Sequence, residues 1–147
     1  MKTNKTISPD LAQSVLAELQ RQRDEMVAFL KSLVLRETPS RVMESQDAIF
    51  QLLDHNLRAL DFYTLRMPGK KTGGYLFARP NNRRKGREIQ LLLGHCDTVW
   101  DIGTLEQMPY RENSEKLAGP GIYDMKAGLT QIIFALKAIR NLQWDIN

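Results

Sequence analysis

Cysteine is almost absent from this sequence, since Cys96 is the single one in 147 residues. An internal disulfide is therefore impossible, and nothing in the composition favours an oxidising compartment. The first ten residues hold no apolar run like that of a signal peptide, and no apolar stretch is long enough to span a bilayer. We therefore expect a cytoplasmic protein that has no membrane partner.

Charge of one sign is not in large excess, because 21 lysines and arginines stand against 17 acidic residues, a net charge of +4. Soluble enzymes often carry this much charge, so it is weak evidence for a nucleic-acid partner. Hydrophobic residues make up 42% of the chain, which is usual for a globular protein and argues against disorder of its bulk.

Helical periodicity is clear in three stretches of the chain. Residues 1–7 are polar and expected to be loose, and the first helix is predicted to begin with Ser8 as its N-cap. It is expected to end before Pro39, because proline restricts the residue that precedes it. A second amphipathic helix is predicted over residues 44–60, and a strongly apolar third helix over residues 125–142.

Three strands are predicted, over residues 62–67, 74–79 and 89–93. The last of these is a continuous apolar run, which is typical of a strand buried on both faces. Residues 100–116 are mixed in character and are predicted to be a loop with one edge strand. Helices flanking these strands indicate an α/β sandwich whose sheet is incomplete.

The first motif that carries chemistry is Gly-His-Cys-Asp-Thr-Val, directly after the apolar run. Ligands of α/β sheets bind beyond the carboxyl ends of strands, and in an extended chain His95 and Asp97 would point to the same side. His95 is a candidate zinc ligand, and Asp97 could accept its second N–H or anchor a different group. A histidine that is merely hydrogen-bonded in a loop is the alternative. Cys96 would face away from such a site as a small packed residue, although a thiol can also bind a metal.

The second motif is Gly-Pro-Gly-Ile-Tyr-Asp-Met-Lys-Ala-Gly, which opens the third predicted helix. Its glycine spacing is wrong for a dinucleotide-binding fingerprint. Glycines permit a tight backbone path close to a ligand. Asp124 stands where the helix begins, so it is either an N-cap of ordinary kind or a functional carboxylate.

Together the two motifs resemble those of the co-catalytic zinc peptidases of the carboxypeptidase G, aminoacylase and acetylornithine deacetylase type. The resemblance covers most of the chain, including Glu-Thr-Pro-Ser at residues 37–40, and its wording is most similar to the glutamate carboxypeptidase branch. It implies a three-layer α/β/α catalytic domain, of which residues 8–147 would be the N-terminal portion.

The resemblance also implies roles for individual residues. His95 would ligate the first of two zinc ions, and Asp124 would bridge both. Asp97, the candidate catalytic residue, would hold and polarise His95. A cis peptide bond is implied between Asp124 and Met125. In this family the metals activate a water for attack on an amide carbonyl, and a glutamate from a Glu-Glu pair acts as general base.

Several parts that the resemblance calls for are missing from the sequence. It has no Glu-Glu pair, and His55, the other histidine, lies in a predicted helix as an ordinary residue. A lid domain, through which the intact protein would form a homodimer, is also not found. Because two ligands are too few for tight zinc binding, we expect residues 1–147 alone to be inactive and to bind zinc weakly.

Three other interpretations stay open. The substrate is a small peptide for a carboxypeptidase, or an N-acyl amino acid for a related deacylase. The chain could also be a non-enzymatic, truncated product of the same lineage. A nucleic-acid binder is a remote alternative, since basic residues cluster around one loop without an aromatic residue to stack on bases: Arg79, Arg83, Arg84, Lys85 and Arg87.

Overall fold

The computed structural model describes residues 9–144 and 146–147. The expectations for the loose residues 1–7 and for Ser8 as a cap therefore lie outside the described residues. The fold combines helices with small sheets, 48% helical and 13% strand, which agrees with the predicted α/β class. Within the described residues, no helix is both long enough and apolar enough to cross a membrane.

Two helices stand where one was predicted. Helix α1 spans Pro9–Arg21 and α2 spans Arg23–Val34. They are separated at Gln22, whose N–H is shared between the carbonyls of Glu18 and Leu19 at 3.3 and 3.2 Å, so the regular helical ladder is interrupted. Helix α2 ends before the predicted boundary at Pro39, and the segment that follows it packs under the candidate site.

The second predicted helix and the hairpin that follows it are confirmed with small changes of boundary. A 3₁₀ turn, Met43–Gln46, leads into α3, Asp47–Ala59. Strands β1, Phe62–Met67, and β2, Tyr75–Pro80, pair antiparallel. The apolar face of α3 lies against this hairpin and contributes Ile49, Phe50 and Leu53 to the core.

The strand predicted at residues 89–93 is wrong. These residues form no regular element, and Leu91 and Leu93 are 70% and 77% exposed. A strand needs a neighbour to complete its hydrogen bonds, but within the described residues β1 and β2 pair only with each other. The run instead borders an apolar cavity of about 830 Å³ beside the third predicted helix.

The segment from residue 100 to 118 holds three short elements. Helix α4 spans Thr104–Gln107, and strands β3, Arg111–Glu112, and β4, Leu117–Ala118, form a small antiparallel ladder. Helix α5, Ala127–Asn141, begins two residues later than predicted. Its buried face packs on α1 and α2, with five core positions: Leu129, Thr130, Ile133, Phe134 and Ala138.

Candidate functional site

The two sequence motifs meet at the end of α2. Residues 95–98 run beside residues 37–40, where Pro39 and Thr98 form a parallel bridge. The N–H of Thr98 donates to the carbonyl of Thr38 at 2.8 Å, and the N–H of Ser40 donates to the carbonyl of Thr98 at 3.0 Å. The turn that precedes α5 carries the second motif, and it packs against the first motif where Gly121 lies beside Thr98.

His95 lies between the two candidate aspartates. Its Nε2 is 2.9 Å from Oδ1 of Asp124. Its Nδ1 is 3.0 Å from the backbone carbonyl of Asp97 and 3.4 Å from Oδ1 of the same residue. The two aspartates therefore occupy opposite edges of the imidazole. The structure thus brings all three predicted site residues together, with the Asp97 carbonyl as the nearer partner of Nδ1.

Asp124 does not act as a helix cap, so the ordinary alternative for this residue is wrong. Helix α5 begins after Lys126, and no side chain caps it. Asp124 and Met125 have non-helical backbone angles and a cis peptide bond between them, as the resemblance implied. The Asp124 carboxylate contacts His95 instead of the amides of the first turn of α5.

Gly121 allows this turn to approach the first motif. Its φ is +70°, a conformation that favours glycine, and a Cβ there would lie 2.5 Å from Cγ2 of Thr98. Met125 also contacts the first motif, because its Sδ accepts the N–H of His95 at 3.3 Å. Any larger residue at Gly121 would push the two motifs apart.

The charges around His95 favour its protonated form. Partial burial by itself lowers the pKa of His95, but bonds to Asp124 and to the Asp97 carbonyl raise it above its ordinary value. Cys96 points the other way, as predicted, and is buried in the core. Burial and the negative charge of Asp97 raise the pKa of the Cys96 thiol to about 11. Cys96 is 6% exposed and packs among core residues, so its thiol is not presented to the site that His95 and Asp124 share.

The donor atoms fit one metal ion in part. Two ligands of a tetrahedral zinc lie about 3.4 Å apart, given bond lengths of about 2.1 Å, and Nε2 of His95 and Oδ1 of Asp124 are 2.9 Å apart. A small outward movement would let both bind the same ion. Among residues 9–144 and 146–147, no three His, Cys, Asp or Glu side chains converge into a set that could hold a metal.

An open cleft of about 610 Å³ lies over these residues. Its rim is formed by Val99, Trp100 and Tyr123, and Tyr123 is 97% exposed. The other histidine, His55, is exposed on α3 and is not a lining residue of this cleft. The cleft is large enough for a small-molecule substrate next to His95 and Asp124.

Three residues that support the site were not identified from the sequence. Thr38 is fully buried, and its Oγ1 donates to the carbonyl of Cys96 at 2.7 Å. Lys126 is 1% exposed, and its Nζ donates to the carbonyl of Arg36 at 2.8 Å. Glu37 accepts the N–H groups of Gly103 and Leu105, both at 2.8 Å. All three stand within the motifs that carry the family resemblance, but a hydrophobicity pattern gives no signal that these polar side chains support the site.

Comparison with known proteins adds independent findings. The sequence model of the family described as Peptidase family M20/M25/M40 matches residues 91–146, which contain both motifs. The chain is also 32% identical over 126 residues to Carboxypeptidase G2 of Pseudomonas sp. (strain RS-16). That similarity covers 82% of this chain but 30% of the relative, so the chain spans about a third of the relative's length.

Proposed function

We propose that this chain, which belongs to peptidase family M20/M25/M40, supplies the first metal-binding elements of a zinc-dependent enzyme that hydrolyses amide or peptide bonds. The observation that carries the proposal is the contact of 2.9 Å between Nε2 of His95 and Oδ1 of Asp124. An imidazole and a carboxylate are both donors that zinc prefers, and a small outward movement from this spacing would let both bind one ion.

Each of the three site residues has a distinct part in the proposal. His95 offers Nε2 to the metal, and Asp124 offers carboxylate oxygens that can bind one ion or bridge two. Asp97 is a positioning residue, because its backbone carbonyl and carboxylate both lie on the Nδ1 edge and can fix the tautomer that leaves Nε2 free. When bound, zinc supplies Lewis acidity for water activation and carbonyl polarisation.

The proposed substrate class rests on the similarity to Carboxypeptidase G2 and not on the shape of the cleft. We propose exopeptidase activity of the glutamate carboxypeptidase kind on a small peptide, with an N-acyl amino acid as the alternative substrate. The same proposal includes a complete α/β/α domain and a homodimer for the intact protein. It also includes a cytoplasmic location and the inactivity of residues 1–147 alone. Turnover of an N-acyl-glutamate by the purified chain would contradict the last of these.

Calorimetric titration of the chain with zinc tests the site assignment. We expect weak binding in the wild type, and a loss of affinity of roughly tenfold or more in both His95→Ala and Asp124→Ala. His55→Ala is the matched control, since it removes an exposed histidine away from the cleft and should leave the affinity unchanged. Equal zinc affinity in all four proteins would show that the metal binds elsewhere.

A further inference from the structure

One short segment after α2 contacts both halves of the candidate site. We call residues 36–38 the anchor segment. On one side, the Thr38 hydroxyl donates to the carbonyl of Cys96 at 2.7 Å, next to His95. On the other side, the ammonium of Lys126, two residues after Asp124, donates to the carbonyl of Arg36 at 2.8 Å.

The burial of these two side chains shows that the contacts are internal ones. Thr38 is 0% and Lys126 1% exposed, and both are among the largest fully buried side chains. An unpaired ammonium or hydroxyl in such a place would be costly. Apolar side chains would fill the same space without that cost, so packing alone does not explain a threonine and a lysine here.

The anchor segment also controls the backbone of the first motif. The carbonyl of Thr38 accepts the N–H of Thr98 at 2.8 Å, which fixes the strand-like course of residues 95–98. The second motif is held through Lys126, whose own N–H donates to the carbonyl of Gly121 at 3.0 Å and closes the turn that carries Asp124. Neither motif is bonded to the other through a regular sheet.

From this arrangement we propose that Thr38 and Lys126 are positioning residues, which set the separation of His95 and Asp124 by binding both motifs to the anchor segment. The effect on the separation of His95 and Asp124 is expected in the metal-free chain, whereas its consequence for zinc affinity rests on the proposed function. Loss of either hydrogen bond should loosen the motif on the opposite side as well as the adjacent one.

Amide hydrogen exchange, followed by NMR on the metal-free chain, tests this coupling. Lys126→Met should speed exchange at the Thr98 amide, which Lys126 does not bond, and Thr38→Val should speed exchange at the amide of residue 126. We expect about a fivefold increase in each case, relative to amides in α3, the factor that one lost hydrogen bond gives. Thr38→Ser keeps the hydroxyl and should behave as the wild type.

Thr130→Val is the matched control. Thr130 is also buried, and its Oγ1 donates to a backbone carbonyl, that of Lys126 at 3.0 Å, but within the α5 region. It should leave the Thr98 amide unchanged. The coupling would be overturned if each substitution changed the exchange rates only in the motif that it contacts directly. It would also be overturned if exchange rose equally at all amides. If Thr38→Val does not fold, Lys126→Met decides the question by the same measurement.

Zinc titration of the same variants separates the two proposals. Thr38→Val and Lys126→Met should weaken zinc binding about tenfold, as the loss of support for a ligand does. If exchange at the two amides is coupled but His95→Ala does not change the zinc affinity, the positioning role stands and the metal site is refuted. The reverse result is that His95→Ala weakens zinc binding, Thr38→Val and Lys126→Met do not, and the two amides show no coupled exchange. That result would refute the positioning role and leave the metal site standing.

Discussion

Lys126 gives the stability of this fold a pH dependence that can be worked out from the structure. Its Nζ is buried against the carbonyl of Arg36. Desolvation lowers the pKa of Lys126 to about 8, although the nearby Cys96 and Glu37 act in the opposite direction. An unfolded lysine has a pKa of about 10.4. Between these two values the unfolded state binds more protons, so the free energy of unfolding rises with pH.

The size of this effect is limited by a second buried group. The lysine contribution has a slope of up to about 1.4 kcal/mol per pH unit, or about 3 kcal/mol in total. Burial raises the pKa of Cys96 from 9.0 to about 11, so above pH 9 the folded state retains a proton that the unfolded state loses. That contribution falls with pH and offsets the first. We expect the stability to rise by about 0.6 kcal/mol from pH 8 to 9 and then to level off.

Urea unfolding at pH 7.5, 8.5 and 9.5 checks both contributions. Lys126→Met should abolish the rise, because the titrating group is gone. Cys96→Ala should remove the offset, so the free energy of unfolding should still increase by about 1 kcal/mol between pH 8.5 and 9.5. A rise of the same size in Lys126→Met and in the wild type would refute the assignment of the buried charge.

Three further substitutions test other parts of the structure. Leu33→Ala, at a fully buried core position, should cost 2–5 kcal/mol in urea unfolding, and a cost below about 1 kcal/mol would show that the core is not packed there. Leu93→Lys, at a position 77% exposed, should change stability by less than about 0.5 kcal/mol. A large loss would instead support the strand predicted from the sequence, with Leu93 buried. Glu37→Gln should cost about 1–2 kcal/mol, because the carboxylate accepts two backbone N–H groups, and an unchanged unfolding midpoint would contradict that pairing.

Local patterns in the sequence predicted the elements whose partners are close along the chain. The hairpin of β1 and β2 and the helix α3 were found almost to the residue, because alternation and helical periodicity report directly on which face is buried. The break at Gln22 was missed, because Leu19 and Met26, on either side of the polar residues 20–25, keep a helical spacing of seven residues. The run at residues 89–93 was misjudged, because hydrophobicity shows that residues favour burial but not which neighbour covers them.

The candidate site was predictable in its donor atoms and not in its support. His95, Asp97 and Asp124 stood out because the two motifs together resemble those of the co-catalytic zinc peptidases, whereas each motif alone also allowed an ordinary loop histidine or a helix cap. The residues that hold them do not, since the bonds of Thr38 and Lys126 join positions 58 and 90 residues apart. Such pairs leave no periodic trace, and only the folded chain shows that one segment serves both motifs.

The most direct test of the central claim is the position of a bound metal. Crystals of the protein grown with zinc should be measured at the zinc absorption edge, where anomalous differences locate the ion. The account predicts a peak within about 2.3 Å of Nε2 of His95 and of one carboxylate oxygen of Asp124. Peaks confined to His55 or to other surface positions, with none at His95, would contradict it.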